Sequence, residues 1–162
     1  MKRRWVVNAS PIISLARISR TSLLHELCDA LVIPRGVAYE IGQGARNDPA
    51  RKWIRGAGAR FLRGPVQVPP LVAAWDLGLG ESEVIAYAYS HPGCEAILDD
   101  RAARRCALSL GIRVRGTVAL IVLAKKEGLI SEAAPVLNQL VRAGFRIDRD
   151  IISAALSLAG EK

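Results

Sequence analysis

The chain has 162 residues, and its 23 Lys plus Arg against 15 Asp plus Glu give a formal net charge of +8. An apolar fraction of 51% excludes an intrinsically disordered chain, and the length suits one domain, residues 1–162, folded around a single core. The basic excess favours a polyanionic partner, because arginine can bind two phosphate oxygens at once; a basic surface that only aids solubility is the alternative.

The cysteine content and the hydropathy exclude further classes. Three scattered cysteines without CxxC spacing predict neither a disulfide framework nor a thiolate zinc site. Polar and charged residues interrupt the apolar part of residues 1–18, which is unlike a signal peptide. The longest strongly apolar run, residues 118–124, is far shorter than the ~20 residues of a membrane-spanning helix. We therefore expect a cytoplasmic protein with reduced thiols and no membrane association.

The first half of the chain predicts short strands that alternate with helices. Apolar runs bounded by Pro indicate buried strands, and apolar residues at helical spacing indicate helices. In chain order the elements are a strand at 5–7, a helix with Ser10 as N-cap and Pro11 at its first position, a helix at 22–28, a strand at 30–33, a helix at 36–42, a polar loop at 43–48 and a helix around 52–57.

The second half continues the alternation and decides the fold class. It predicts an extended connector at 64–70, a short helix at 72–80, a helix at 81–90, a strand at 96–99, a helix at 101–110, a strand at 112–114 and helices at 117–127, 132–143 and 149–159. Strands that alternate with helices indicate a three-layer α/β/α fold with a central parallel sheet.

Three of the predicted strands end in polar residues. Asn8 follows the first strand, Asp99 and Asp100 follow a later one, and Thr117 comes shortly after the next. In an open α/β sheet the ligand crevice lies at the carboxyl ends of the strands, so we expect these side chains at one edge of the sheet.

Two predicted helices can bring further acids to the same edge. Glu81 lies three and four residues before Val84 and Ile85, which puts it in line with the buried face of its helix. Glu40 lies beside the apolar face of its own helix, and Glu83 points to one flank.

Oxygen donors gathered in this way predict a hard divalent cation. Mg²⁺ and Mn²⁺ prefer oxygen ligands, and a few carboxylates plus waters suffice. Such a cation lowers the pKa of water and stabilises charge on a phosphodiester during hydrolysis. The candidate ligands, which are also the candidate catalytic residues, are Asn8, Glu40, Glu81, Asp99 and Asp100.

Each candidate ligand also has a purely structural explanation. One of the two adjacent aspartates can cap the helix that follows them. Glu81 can stabilise the helix dipole, and Glu40 can be a solvated surface acid. Asn8 and Thr117 are common cap residues. The joint placement of these residues at strand ends is more specific than any one of them, and it favours the metal site.

Residues around the acids predict contacts with a nucleic-acid backbone. Clustered arginines beside carboxylates suit RNA phosphates, although the same residues can form only the solvated face of a helix. The candidate nucleic-acid-binding residues are Arg101, Arg104, Thr117, Lys125 and Lys126.

Five stretches of the sequence together resemble a known family. In order they are VVNASPIISLARI, VIPRGVAYEIG, LGLGESEVIAYAYS, AILDDRAARRCALSLGIRVRGTVALIVLAKKEGLI and LVRAGFRIDRDIISAALSLAGE. They resemble a PIN-domain protein of a VapC-like subgroup with DDRxAR and GxGExE signatures. The resemblance extends from about Trp5 to Glu161, and the order and spacing of the motifs are more specific than any one motif.

The resemblance implies a metal-dependent endoribonuclease that is the toxin of a toxin–antitoxin pair. It implies a homodimer, neutralised by a small antitoxin that covers the active site. The acid positions of the family fall on Glu40, on Glu81 with Glu83 as the alternative, and on Asp99 or Asp100. Asn8 stands where the family usually has Asp, so the site has one negative charge fewer and we expect weaker metal binding.

Alternative functions are distinguishable from the ribonuclease. A catalytically weak or inactive PIN-like RNA-binding module would bind RNA without metal-dependent turnover. A phosphoacceptor signalling domain would have an acidic pair after the first strand, where this chain has Asn8 and Ala9. A dinucleotide-binding fold would have GxGxxG at the same place, and this sequence does not.

Overall fold

Five strands form one parallel sheet within residues 2–161, which are the residues that the computed structural model describes. The strands are β1 (Arg4–Val7), β2 (Ala30–Pro34), β3 (Leu62–Arg63), β4 (Cys94–Ile97) and β5 (Val114–Arg115). Their order across the sheet is β3-β2-β1-β4-β5, and neighbouring strands are parallel. The predicted α/β fold with a central parallel sheet is therefore confirmed.

The strand order creates a switch point between β1 and β4. The chain adds β2 and β3 on one side of β1 and then β4 and β5 on the other. Connections on either side of a switch point diverge and leave a crevice at the carboxyl ends of the two strands. The residues that follow β1 and β4 are therefore placed where a ligand can enter.

Helices occupy the connections between the strands. They are α1 (Ala9–Arg17), α2 (Ser22–Glu26), α3 (Arg35–Gly42), α4 (Pro49–Arg55), α5 (Pro70–Ala73), α6 (Leu79–Ser90), α7 (Arg101–Ser109), α8 (Thr117–Lys126), α9 (Ala133–Arg142) and α10 (Arg149–Leu158), with a 3₁₀ turn at Ala59–Phe61. Helix α6 packs against β1, β2 and β4, whereas α8 packs against α1, α9 and α10.

The central strands are apolar because helices cover both of their faces. Trp5, Val6 and Val7 of β1 have no exposed surface, and Ile97 and Leu98 at the end of β4 are equally buried. Each such aliphatic side chain contributes roughly 1.5–3 kcal/mol through burial. The backbone that carries the strand-end residues is therefore rigidly packed.

Helix α1 and strand β4 are among the elements that begin earlier than the sequence predicts. Helix α1 starts at Ala9 with Asn8 as its N-cap, rather than after Ser10. The backbone N–H of Asn8 still donates to Ile97 in the sheet, so the helix follows the strand directly. Strand β4 starts at Cys94 and includes the acidic Glu95, a residue type that is uncommon in a buried strand. Glu95 is nevertheless buried, because Trp5 and Arg115 donate hydrogen bonds to its carboxylate.

The segment predicted as one short helix at 72–80 is divided. Helix α5 covers Pro70–Ala73, and α6 begins only at Leu79. Asp76 between them has a φ of 53°, a left-handed conformation that interrupts a helix. Strand β3 escaped the sequence analysis because it has only two residues, and β5 lies at Val114–Arg115 rather than at 112–114.

The cysteines are free thiols, as expected. Burial raises the pKa of Cys28 to about 12 and that of Cys94 to about 11, so both stay protonated and unreactive near neutral pH. Within residues 2–161, no helix combines the length and the apolar character that crossing a bilayer requires.

Glu161 ties the end of the described chain to two helices. Its carboxylate accepts hydrogen bonds from the backbone N–H groups of Ala133 (2.7 Å) and Ala134 (3.1 Å) at the start of α9. It also accepts one from Lys125 Nζ at 3.0 Å. These α9 N–H groups have no partner inside their own helix. The hydrogen bond from Ala133, followed by that from Lys125, lowers the pKa of Glu161.

Replacement of Glu161 by Gln should make the stability less dependent on pH. The pKa of Glu161 in the folded protein lies below the ordinary 4.5, so its stabilisation is present above that pH and is lost as pH falls through the lowered value. Urea denaturation, followed by circular dichroism, should show a less stable variant at pH ~7 and a smaller loss of stability between pH ~5 and pH ~3 than in the parent. Glu132→Gln, at the exposed N-cap of α9, is the control; equal effects of both substitutions would contradict the assignment.

Candidate functional site

An open cleft lies at the carboxyl edge of the sheet, beside the switch point between β1 and β4. Its volume of about 1160 Å³ exceeds the roughly 300–1,000 Å³ of common small-molecule sites. Apolar side chains of α8 and α10 form one wall. The other wall is polar and includes Asn8, Ser10, Glu81, Asp99 and Asp100.

Asn8 and Glu81 meet directly in this polar wall. Asn8 Nδ2 donates a hydrogen bond of 2.9 Å to Glu81 Oε2. Asn8 stands at the junction of β1 and α1, and Glu81 stands in the first turn of α6. The packing of α6 on β1 therefore brings the two side chains together, as the sequence analysis expected for a strand end and a helix start.

Two glycines at the start of α6 make room for a second carboxylate. A Cβ atom at Gly78 would lie 2.7 Å from Glu81 Oε1 and 3.4 Å from Glu40 Oε2. A Cβ atom at Gly80 would collide with Glu40 Oε1 and would lie 3.1 Å from Asn8 Oδ1. Glu40 on α3 is therefore within a few ångströms of both Asn8 and Glu81. The two glycines of the GxGExE motif allow this approach because they have no side chains.

Asp99 is bound by groups from two other elements. Its Oδ1 accepts from the backbone N–H of Thr117 at 2.8 Å, and its Oδ2 accepts from Thr117 Oγ1 at 2.6 Å and from Ser10 Oγ at 3.3 Å. Thr117 is the first residue of α8 and is fully buried. Its full burial leaves no surface for the predicted contact of Thr117 with nucleic acid. Thr117 instead orients Asp99, which takes the place of a capping residue for α8.

Asp100 and Glu83 each accept a hydrogen bond from the first turn of a helix, although Asp100 also lines the cleft. Asp100 is the N-cap of α7, and its Oδ2 accepts from the Ala103 N–H at 2.9 Å. Glu83 Oε1 accepts from the Gly36 N–H at 2.8 Å in the first turn of α3. Of the two adjacent aspartates, Asp100 thus caps the next helix, and Asp99 faces the other site residues.

The oxygen donors fit a hydrated divalent cation better than a fully protein-bound one. Within residues 2–161, no three His, Cys, Asp or Glu side chains lie close enough together to hold a metal ion. Mg²⁺ usually retains several waters and needs only one or two carboxylates, which Glu40 and Glu81 can supply. Asn8 Oδ1 is buried without a hydrogen-bond partner among the described residues. An orphaned buried oxygen of this kind is a ready ligand for a cation.

The predicted nucleic-acid-binding residues are not all at the cleft. Arg104 and Lys126 line it, and Arg104 Nη1 donates to the carbonyl oxygen of Leu98 at 2.8 Å. Arg101 is exposed on α7 but does not line the cleft. Lys125 is paired with Glu161.

Three further basic residues line the cleft and escaped the sequence analysis. They are Arg17 at the end of α1, Arg115 at the end of β5 and Arg146 before α10. The position of Arg115 directly before Gly116 and Thr117 was the available signal, because it places Arg115 at a strand end. Arg17 and Arg146 reach the cleft only through the packing of helices, which no local pattern encodes.

An open parallel sheet with oxygen donors at its switch point is typical of α/β proteins that bind their ligands at the strand ends. The family model of a PIN domain, DUF3368, matches residues 4–161, and the chain therefore belongs to this PIN-domain family. PIN domains are generally nucleases, which are hydrolases. Comparisons with curated proteins and with solved structures gave no match.

Replacement of Gly80 by Ala should displace Glu40 while leaving the fold intact. The new Cβ would meet Glu40 Oε1, the end of a flexible side chain that can move aside. Replacing a helical Gly by Ala gains roughly 0.5–1 kcal/mol, which offsets part of the cost of the added methyl group. Isothermal titration should show weaker Mn²⁺ binding than in the parent. Gly42→Ala, where a Cβ meets no atom within 4 Å, is the control and should bind Mn²⁺ unchanged. Unaltered Mn²⁺ binding by the Gly80 variant would exclude Glu40 from the site.

Proposed function

We propose that the protein is a Mg²⁺- or Mn²⁺-dependent endoribonuclease of the VapC-like subgroup. The observation that carries the proposal is the meeting of Asn8, Glu40 and Glu81 around Gly78 and Gly80. These residues come from the junction of β1 and α1, from α3 and from α6, so only the tertiary packing brings them together. The basic charge of the chain and the arginines around the cleft support a nucleic-acid substrate.

The cation would be held by Glu81 and Glu40, with the amide oxygen of Asn8 as a neutral ligand. A divalent ion bound there would lower the pKa of a water molecule and would neutralise the charge that develops on the phosphate. Asp99, fixed by Thr117 and Ser10, is held ready to orient the attacking water or a water around the ion.

The other residues of the cleft would bind and orient the RNA. Arg104 and Lys126 are suited to bind backbone phosphates, and the apolar wall excludes water from one side. Hydrolysis adds water to phosphorus and breaks the bond to the 3′ oxygen. The products are therefore a 3′-hydroxyl and a 5′-phosphate.

The biological role that we propose is that of a toxin in a toxin–antitoxin pair, in the cytoplasm. This part rests on the VapC-like motifs in the sequence. A small antitoxin protein would then cover the cleft, and the toxin would be a homodimer. Ile151, which is 49% exposed, and Leu158, which is 64% exposed, give the rim of the cleft an apolar surface that suits such a partner.

One observation favours a catalytically weak or inactive RNA-binding module as the second candidate. Asn8 Nδ2 satisfies Glu81 Oε2 through a direct hydrogen bond, so Glu81 has a partner without a cation. An Asp at this position would repel Glu81 and would require a cation. A module of this kind would bind RNA equally well with and without EDTA and would not cleave it.

Replacement of Glu81 by Gln, or of Asp99 by Asn, should abolish RNA cleavage that depends on added metal. Glu81→Gln keeps the shape of the side chain and an oxygen that can accept from Asn8, so its loss of activity would report on charge. Asp99→Asn removes the charge and also one of the two acceptors for Thr117 and Ser10. The assay follows a labelled RNA in Mg²⁺ or Mn²⁺, with EDTA as the blank. Asp100→Asn is the matched control, since Asn is also a good N-cap and should keep α7 and the activity intact. Parental cleavage by either site variant would refute the assignment.

Replacement of Asn8 by Asp should strengthen Mn²⁺ binding and weaken the metal-free protein. The new carboxylate loses the hydrogen bond to Glu81 and repels it, which should lower Tm in EDTA by about 2–4 °C for each kcal/mol lost. With Mn²⁺ the added charge becomes a ligand, and calorimetry should show a higher affinity than in the parent. Equal or weaker Mn²⁺ binding would argue that Asn8 does not face the ion.

A further inference from the structure

A buried carboxylate in the middle of the sheet holds a cleft-lining arginine. Glu95 on β4 is 7% exposed. Its Oε1 accepts from Trp5 Nε1 at 3.1 Å, and its Oε2 accepts from Arg115 Nε at 3.1 Å. Arg115, at the end of β5, lines the cleft together with Asn8 and Asp99.

The sheet register makes this contact possible. Trp5 on β1 is directly opposite Glu95, and Arg115 on β5 is directly opposite Ile97. Because side chains alternate along a strand, Glu95 and Ile97 lie on one face. Trp5, Glu95 and Arg115 therefore form a row across three strands on that face, with the charged pair towards β5.

Burial of the Glu95 carboxylate costs free energy of desolvation, so the ion pair with Arg115 is not explained by stability alone. A buried ion pair is weak evidence for stabilisation, because apolar side chains of similar volume often serve as well. The ion pair does, however, hold the guanidinium of Arg115 at its Nε atom. Residues 2–161 give the terminal NH₂ groups of Arg115 no hydrogen bond, so four of its five N–H donors stay available.

We propose that Arg115 binds a backbone phosphate of the nucleic acid in the cleft and that Glu95 is the positioning residue for Arg115. The inference rests on the proposed function in one respect, that the cleft takes RNA. A planar guanidinium held at Nε presents its NH₂ groups in a fixed direction, which suits two phosphate oxygens. Glu95 is itself held in place by the indole of Trp5, a fully buried side chain.

The test measures RNA affinity without catalysis. Binding of a fluorescein-labelled single-stranded RNA is followed by anisotropy in EDTA over a range of salt concentrations. Arg115→Ala should bind several-fold more weakly, and the slope of log K against log [salt] should fall by about 0.7, the value for one phosphate contact in a single strand. Arg113→Ala removes the same charge from an exposed position outside the cleft and should leave the slope unchanged.

Glu95→Gln separates positioning from general electrostatics. The substitution removes a negative charge, so an effect of net charge alone would tighten RNA binding. Loss of positioning predicts the opposite, a several-fold weaker affinity, because the one oxygen of Gln cannot replace the two carboxylate oxygens that accept from Trp5 and Arg115. In the double variant Glu95→Gln/Arg115→Ala, which leaves no unpaired charge in the sheet, the affinity should equal that of Arg115→Ala alone. Urea denaturation of each variant confirms that the protein tested is folded.

The possible results distinguish this inference from the proposed function. If the parent binds RNA but Arg115→Ala keeps its affinity and slope, the role of Arg115 is refuted and the nuclease proposal stands. The positioning role is refuted if Glu95→Gln binds RNA as tightly as the parent. It is also refuted if the double variant binds RNA more weakly than Arg115→Ala alone. If the parent cleaves no RNA but loses affinity on Arg115→Ala, the nuclease proposal fails and the phosphate site is supported. A parent that binds no RNA refutes both.

Discussion

The carboxylate of Asp99 is the contact on which the geometry of the cleft depends. It receives the first N–H group and the hydroxyl of Thr117 from α8 and the hydroxyl of Ser10 from α1. One side chain thus joins the end of β4 to the helices that follow β5 and β1. Because a charged acceptor at a helix N-terminus also stabilises the helix dipole, Asp99 fixes the direction of α8, and with it one wall of the cleft. Binding chemistry and architecture therefore share a residue at the switch point.

A second group of donors lies on the other side of Asn8 and is held in a different way. Glu40 and Glu81 approach each other because Gly78 and Gly80 leave them space, and the amide of Asn8 bonds only one of the carboxylates. Two acids held near each other without a full set of protein donors favour a positive charge between them. The two oxygens of Asp99, in contrast, accept three hydrogen bonds. Asp99 is thus fixed by protein donors, whereas Asn8 supplies the side-chain hydrogen bond found for the Glu40 and Glu81 pair among the described residues.

Much of this arrangement can be predicted from the sequence, because the polar residues of the site directly follow the predicted strands. The alternation of strands and helices gave the fold class, and the polar residues after β1 and β4 marked the switch point. Pattern alone could not choose between Asp99 and Asp100, since either can cap a helix; the structure gives the cap of α7 to Asp100. Glu40 reaches the site only through the packing of α3 on α6. Glu95 was missed for a related reason, because its partners Trp5 and Arg115 are distant in sequence and a buried charge obscures a strand.

The attachment of α10 has a consequence for access to the cleft. This helix supplies Ile151, Ala154 and Leu158 to the cleft wall, yet Ala155 is its only residue classed as buried within the described chain. Segments with few buried apolar contacts open locally at a lower free energy than the whole domain. Glu161 ties the residues that follow α10 to α8 and α9, so local opening of this wall would start from the Arg149 end of α10 and would leave the sheet and the acids in place. The width of the passage to the strand ends would then vary independently of the polar residues that line it.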